Sequence, residues 1–111
     1  MPHFFRPPAD ALPPAKVRCT SLRAEPFSDG KRIRIYLDLT PFQQPPDIFV
    51  TLSDLTGAEI ARAHLIGVIN SRLTIIMHPR NFSKQSYTLT ATVDYPELGI
   101  SNQSSTIFDL S

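Results

Sequence analysis

Tryptophan is absent from these 111 residues and cysteine occurs once, at Cys19. No intrachain disulfide exists, so the fold rests on hydrophobic burial. Glycine is scarce too, and Gly30, Gly57, Gly67 and Gly99 are all accounted for by turns. That leaves no glycine-rich loop to cradle a phosphate and no GxSxG elbow to present a nucleophilic serine. Charged residues make up 19% of the chain, below the usual quarter, and the net charge is only +1. Such a balance gives no broad field to attract nucleic acid or an anionic membrane, and neither is expected as a partner. No apolar run has the length of a bilayer span or the character of a signal-peptide core. The expected compartment is cytoplasmic if the chain is complete, and extracytoplasmic if it is a fragment of a larger protein.

What is present fits one domain, in a size range where a single core suffices without staples. Residues 1–15 hold five prolines, Pro2, Pro7, Pro8, Pro13 and Pro14. Their fixed φ and missing N–H groups disfavour helix and central strand. This stretch reads as an extended, mostly unstructured arm before a domain at 16–111. Its aromatic pair Phe4 and Phe5, beside Arg6, is an apolar feature suited to docking on a surface. The prolines do not form a PxxP core with a flanking base, which sets aside a polyproline ligand.

Beyond the arm the hydrophobic period is two. Tyr87, Leu89, Ala91, Val93 and Tyr95 share one parity, while Thr88, Thr90, Thr92 and Asp94 take the other. That is the pattern of a strand with one dry face, and the threonines suit a pleated surface better than a helix. The same alternation places Ile33, Ile35, Leu37 and Leu39 inward on a strand over 32–39, with Arg34, Tyr36 and Asp38 outward. Ile48, Val50 and Leu52 form a further inward stripe, as do Leu73, Ile75 and Met77. A first strand is expected from Lys16 to about Ala24, with Val17 and Cys19 inward and a bulge before Leu22. Residues 58–66 read as a strand with Ala61, Ala63 and Leu65 inward, against a competing short amphipathic helix. Turns fall at Ser28–Lys31, Asp54–Gly57 and Pro96–Gly99. The count is seven strands with turn signals about every 8–12 residues, as a sandwich requires.

The run Tyr87-x-Leu89-x-Ala91-x-Val93, a turn at Gly99, and a last strand ending Ile107-Phe108-Asp109-Leu110 resemble the final two strands of an immunoglobulin-like or fibronectin type III-like domain. In that family a tyrosine at the start of the penultimate strand caps the sandwich, and Tyr87 holds the matching position. The resemblance implies an all-β, seven-strand antiparallel sandwich. It departs from antibody domains in lacking both tryptophan and a disulfide.

Chemistry-bearing constellations are few. His3, His64 and His78 do not stand at metal-ligand spacings, and Asp94 and Glu97, with Asp54, read as turn-forming acids. Asn81-Phe82-Ser83 and Asn102-Gln103-Ser104 match the glycosylation sequon but read as a coincidence of a polar surface. No catalytic residue, metal or cofactor is expected. Outward apolar residues are the distinctive feature: Tyr36, Phe49 and Ile76, together with Phe4 and Phe5, are the candidate interaction surface, expected as one contiguous patch. The functional expectation is a non-enzymatic protein-interaction or structural module, binding a protein partner or self-associating as a homodimer through an outer sheet face or an edge strand. The alternative is a carbohydrate-binding accessory module using Tyr36, Tyr95 and Phe49 as stacking platforms.

Overall fold

In the computed structural model, which describes residues 5–80, 82–83 and 85–109, seven strands form two antiparallel sheets. They are β1 (Cys19–Pro26), β2 (Ile33–Leu39), β3 (Asp47–Asp54), β4 (Glu59–Leu65), β5 (Arg72–Met77), β6 (Ser86–Tyr95) and β7 (Ile100–Asp109). One sheet has the order β1-β2-β5 and the other β4-β3-β6-β7. Residues 58–66 are therefore strand and not helix, and no α-helix occurs among the described residues.

The three interior strands supply most of the core. On β2, β3 and β6 alternate residues are fully buried: Ile33, Ile35 and Leu37; Ile48, Val50 and Leu52; Tyr87, Leu89, Ala91 and Val93. These stripes from both sheets meet in one hydrophobic cluster. Each large aliphatic side chain buried there contributes about 1.5–3 kcal/mol. The flanking strands leave most of their inward residues only partly buried, Leu22 and Ala24 on β1 and Leu73 and Ile75 on β5 among them, though Met77 at the end of β5 is buried.

Turn chemistry fixes the register. Phe27 N–H donates to the Arg32 carbonyl at 2.9 Å and closes the β1–β2 hairpin over Ser28–Lys31. Asp54 caps the β3–β4 turn, accepting from the Thr56 and Ala58 N–H groups at 2.9 and 3.0 Å, with Gly57 at φ 89°. Between β6 and β7 a 3₁₀ turn at Pro96–Leu98 ends on Gly99, whose φ of 66° is left-handed. Tyr87 closes one end of the sandwich: its hydroxyl donates to the Ser83 carbonyl at 2.8 Å and accepts the Ser83 N–H at 2.9 Å. This is the geometry of a tyrosine corner.

The N-terminal stretch differs from its sequence reading. From Phe5 onward the described residues are not a detached arm. Leu12 bridges to Phe42 in parallel, with Leu12 N–H on the Pro41 carbonyl at 3.0 Å and Gln43 N–H on the Leu12 carbonyl at 3.0 Å. Pro14–Lys16 forms a 3₁₀ turn, and Pro14 and Val17 are buried. The first strand accordingly begins at Cys19 rather than Lys16, because two successive prolines favour a turn closed by Lys16 N–H on the Pro13 carbonyl at 2.9 Å. The expected bulge is present, as a register shift between Cys19 and Ser21. Phe4 and His3 lie outside the described residues.

Candidate functional site

The outer face of the β1-β2-β5 sheet and its hairpin turn carry four of the chain's eight arginines, Arg23, Arg32, Arg34 and Arg72, and two of its aromatics. Outward residues are those that do not enter the core: Arg23 and Glu25 on β1, Arg34, Tyr36 and Asp38 on β2, Arg72, Thr74 and Ile76 on β5. Register sets them in rows. Arg23, Tyr36 and Thr74 stand side by side, and the next row holds Glu25, Arg34 and Ile76. Tyr36 and Ile76 thus share this face as diagonal neighbours.

Three arginines lie over rings. The guanidinium carbon of Arg23 is 4.3 Å from the centroid of Tyr36. Those of Arg32 and Arg34 are 4.2 and 4.7 Å from Phe27, at the hairpin turn. Stacking of this kind is attractive in itself and leaves the guanidinium edge free to donate. Two carboxylates orient the set: Asp29 meets Arg32 at 2.8 Å and Glu25 meets Arg34 at 3.4 Å. The Lys31 N–H, followed by the Arg32 side chain, holds the Asp29 carboxyl below its ordinary range.

The other expected interaction residues lie elsewhere. Phe49 is on β3, on the outer face of the four-stranded sheet and so on the opposite side of the sandwich from Tyr36 and Ile76. It stacks against His64 at 3.9 Å and 12°. Phe5 stacks on the buried Phe42 at 5.2 Å, at the sandwich end near Pro8, Pro41 and Ile69. The single contiguous patch expected from parity is not formed by the described members of that set, because alternation tells inside from outside but not which sheet a strand joins.

Around Phe49 the four-stranded sheet presents Thr51, Thr88, Thr90, Thr92, Gln103 and Ser105, a hydroxyl-rich surface bordered by Arg62 opposite Thr51 and by the Asp47–Asp94 pair. Tyr95, the third aromatic platform of the sequence reading, is buried, and its hydroxyl donates to the Gln44 carbonyl at 2.9 Å. Burial pushes that phenol up to about 12. Asp94 and Glu97 border a cavity of about 330 Å³ there with Asp47, while Asp54 stands at the far end of β3. No group of three His, Cys, Asp or Glu side chains suited to a metal occurs among the described residues. His64 precedes the β4–β5 connection and His78 follows β5, so a strand's length separates them. Cys19 is half-buried, its thiol pushed up by that burial, with Sγ 3.2 Å from the Ser21 carbonyl. The sequon residue Asn102 spends its amide on the Val17 carbonyl at 2.8 Å.

Among the described residues no helix is long and apolar enough to cross a membrane. No family model and no curated protein matches the chain. Solved structures do: a crystal structure of Parabacteroides merdae beta-glucuronidase matches with a TM-score of 0.69 at 16% identity, over 85% of this chain and 14% of that one. A second structure of the same enzyme, with glycerol in its active site, matches with a TM-score of 0.57 at 16% identity, covering 13% of that chain. The likeness is one of fold, to a small part of a much longer protein.

Proposed function

We propose that this chain is a non-enzymatic protein-interaction module whose binding side is the β1-β2-β5 sheet, read by the carboxylates of a protein partner. The observation that carries the reading is the stacking of Arg23 on Tyr36 and of Arg32 and Arg34 on Phe27, beside the exposed Ile76. Arginine and tyrosine dominate the energetics of protein interfaces. Guanidinium groups already ordered on rings lose less freedom when a partner arrives. The strand order supports a fibronectin type III-like form, since β4 hydrogen-bonds to β3 instead of joining β1 and β2 as the fourth strand of a constant-type immunoglobulin domain does.

A second reading, the carbohydrate-binding accessory module, draws on the likeness to part of a beta-glucuronidase chain. Sugar stacking needs an aromatic with a free face. Here Arg23 lies over Tyr36, His64 covers one side of Phe49, and Tyr95 is buried. The interaction reading is therefore preferred.

The two separate in one experiment, binding of the purified chain to a panel of acidic peptides and to a panel of neutral glycans. The interaction reading expects peptide binding that Arg23→Ala and Tyr36→Ala each weaken and Phe49→Ala leaves unchanged. Glycan binding abolished by Phe49→Ala, or no binding to any acidic peptide, overturns it.

A further inference from the structure

We propose that the free edge of β5 pairs antiparallel with β5 of a second copy of this chain, joining two three-stranded sheets into one of six strands. This names a partner for the interaction-module reading and rests on that reading.

Four strands end their sheets: β1, β5, β4 and β7. An edge strand exposes unpaired N–H and C=O groups, and proteins that must stay apart blunt such edges with charges, prolines, bulges or a covering segment. Two edges here are blunted, and a third is covered in part. β1 carries the bulge at Cys19/Ser21, the charges of Arg23 and Glu25, and Pro26 at its end. β4 has an irregular register opposite Leu52/Ser53 and the Glu59–Arg62 ion pair, and its Ile60 carbonyl already accepts the Arg80 N–H at 3.1 Å. β7 turns Asn102 and Ser104 onto the carbonyls of Val17 and Cys19, so its first half lies against the start of β1, while residues 105–108 run on uncharged with Ile107 exposed.

β5 carries none of these devices. Its only charge is at its first residue, Arg72, and its register against β2 is unbroken from Met77 to Arg72. Leu73-Thr74-Ile75-Ile76-Met77 is an uncharged, β-branched run of the kind that pairs readily with another strand. Thr74 is exposed and Ile76 is 48% exposed.

The hydrogen-bond parity selects a register. Leu39 N–H donates to the Ser71 carbonyl at 2.7 Å, and the ladder continues through the pairs Leu37/Leu73, Ile35/Ile75 and Ile33/Met77. Bonded and non-bonded pairs alternate in an antiparallel ladder. The odd-numbered residues therefore spend their backbone groups on β2, and Arg72, Thr74 and Ile76 turn theirs to the open edge. A two-fold axis at Thr74 sets Thr74 opposite Thr74 of the second copy and Arg72 opposite Ile76, so that all three residues exchange both bonds. Leu73 then meets Ile75 on the inner face. No like charges oppose one another, and a threonine pair is favourable at the centre. A slip of one residue would turn the apolar stripe outward. The contact is isologous and closes as a dimer. Beside the same edge runs an open groove of about 590 Å³, whose lining mixes Ile60, Ala63 and Met77 with the charged Glu59, Arg62 and Arg80, and which the second copy would cover.

The test is sedimentation equilibrium of the chain from micromolar to millimolar concentration. The wild type is expected to approach twice its mass. Ile76→Lys and Thr74→Pro, each shown to be folded by circular dichroism, are expected to weaken the dimer at least about tenfold, since Thr74→Pro removes an N–H that β2 does not use. In a Cys19→Ser background, Thr74→Cys should form a disulfide dimer and Thr90→Cys on the far sheet should not. A wild type that stays monomeric, a dimer that survives both substitutions, or equal cross-linking from Thr90→Cys overturns the proposal. If such a monomer still binds acidic peptide through Arg23, only the edge pairing is refuted and the interaction-module reading stands.

Discussion

Replacing Tyr87 by phenylalanine isolates the bonds that close one end of the sandwich. The ring is fully buried against Phe82 at 5.2 Å and Phe108 at 5.7 Å, and those contacts survive the change. What is lost is the hydroxyl, which donates to the Ser83 carbonyl at 2.8 Å and accepts from the Ser83 N–H at 2.9 Å and the Gln85 amide at 3.1 Å. Gln85 is exposed and finds water instead. The uncompensated loss is that of the two Ser83 bonds, each worth about 1 kcal/mol net, so the expected cost is about 2 kcal/mol. For a chain of this length that corresponds to a fall in Tm of about 8 °C. Urea unfolding followed by circular dichroism is the assay, and the midpoint should fall with an unchanged m-value. A midpoint indistinguishable from wild type would refute the reasoning, because the corner bonds would then contribute nothing.

Leu52→Ala, at a fully buried β3 position, should cost about 2–5 kcal/mol in the same assay. Tyr95 binds its proton more tightly when folded, its pKa raised to about 12 by burial. Its contribution to stability is therefore complete below about pH 10 and is lost as pH rises toward 12. Tyr95→Phe should flatten that alkaline decline in thermal melts between pH 9 and 12, a range set by the phenol's ordinary pKa. The Asp54 carboxyl is held below its ordinary range, by the Thr56 hydroxyl first and then by turn N–H groups. It stabilises the fold above the ordinary carboxylate pKa and ceases to do so as pH falls through the lowered value, so Asp54→Asn should shrink the acid-side loss of stability.

How much of this was legible in the sequence depends on where a residue sits. The inward stripes of β2, β3 and β6 could be read directly, because an interior strand with one dry face leaves a clean period of two. Buried loop residues had no such signal: Phe42 and Val68 enter the core at 2% and 7% exposure from irregular segments. Proline content misread residues 5–15 as extended, whereas they turn at 9–10 and enter a 3₁₀ turn at Pro14, and it held no trace of their packing, since the bridge from Leu12 to Phe42 is a tertiary contact between segments 30 residues apart. At the candidate site, parity put Tyr36 and Ile76 outward, and the structure sets them on one face. Arg23 and Phe27 were missed, although the turn at Ser28–Lys31 held the signal. Counting outward from that turn pairs Phe27 with Arg32, Glu25 with Arg34 and Arg23 with Tyr36. Phe49 was joined to the wrong face because alternation carries no information about sheet order.

The central claim is that the β1-β2-β5 sheet is the side of the molecule that meets other proteins. Its most direct measurement is a dilution series of the ¹⁵N-labelled chain, following every backbone amide by NMR. The account predicts concentration-dependent shifts centred on Arg72, Thr74 and Ile76 and extending to Arg34 and Tyr36. Shifts centred instead on Phe49, Thr90 and Ser105 would contradict it.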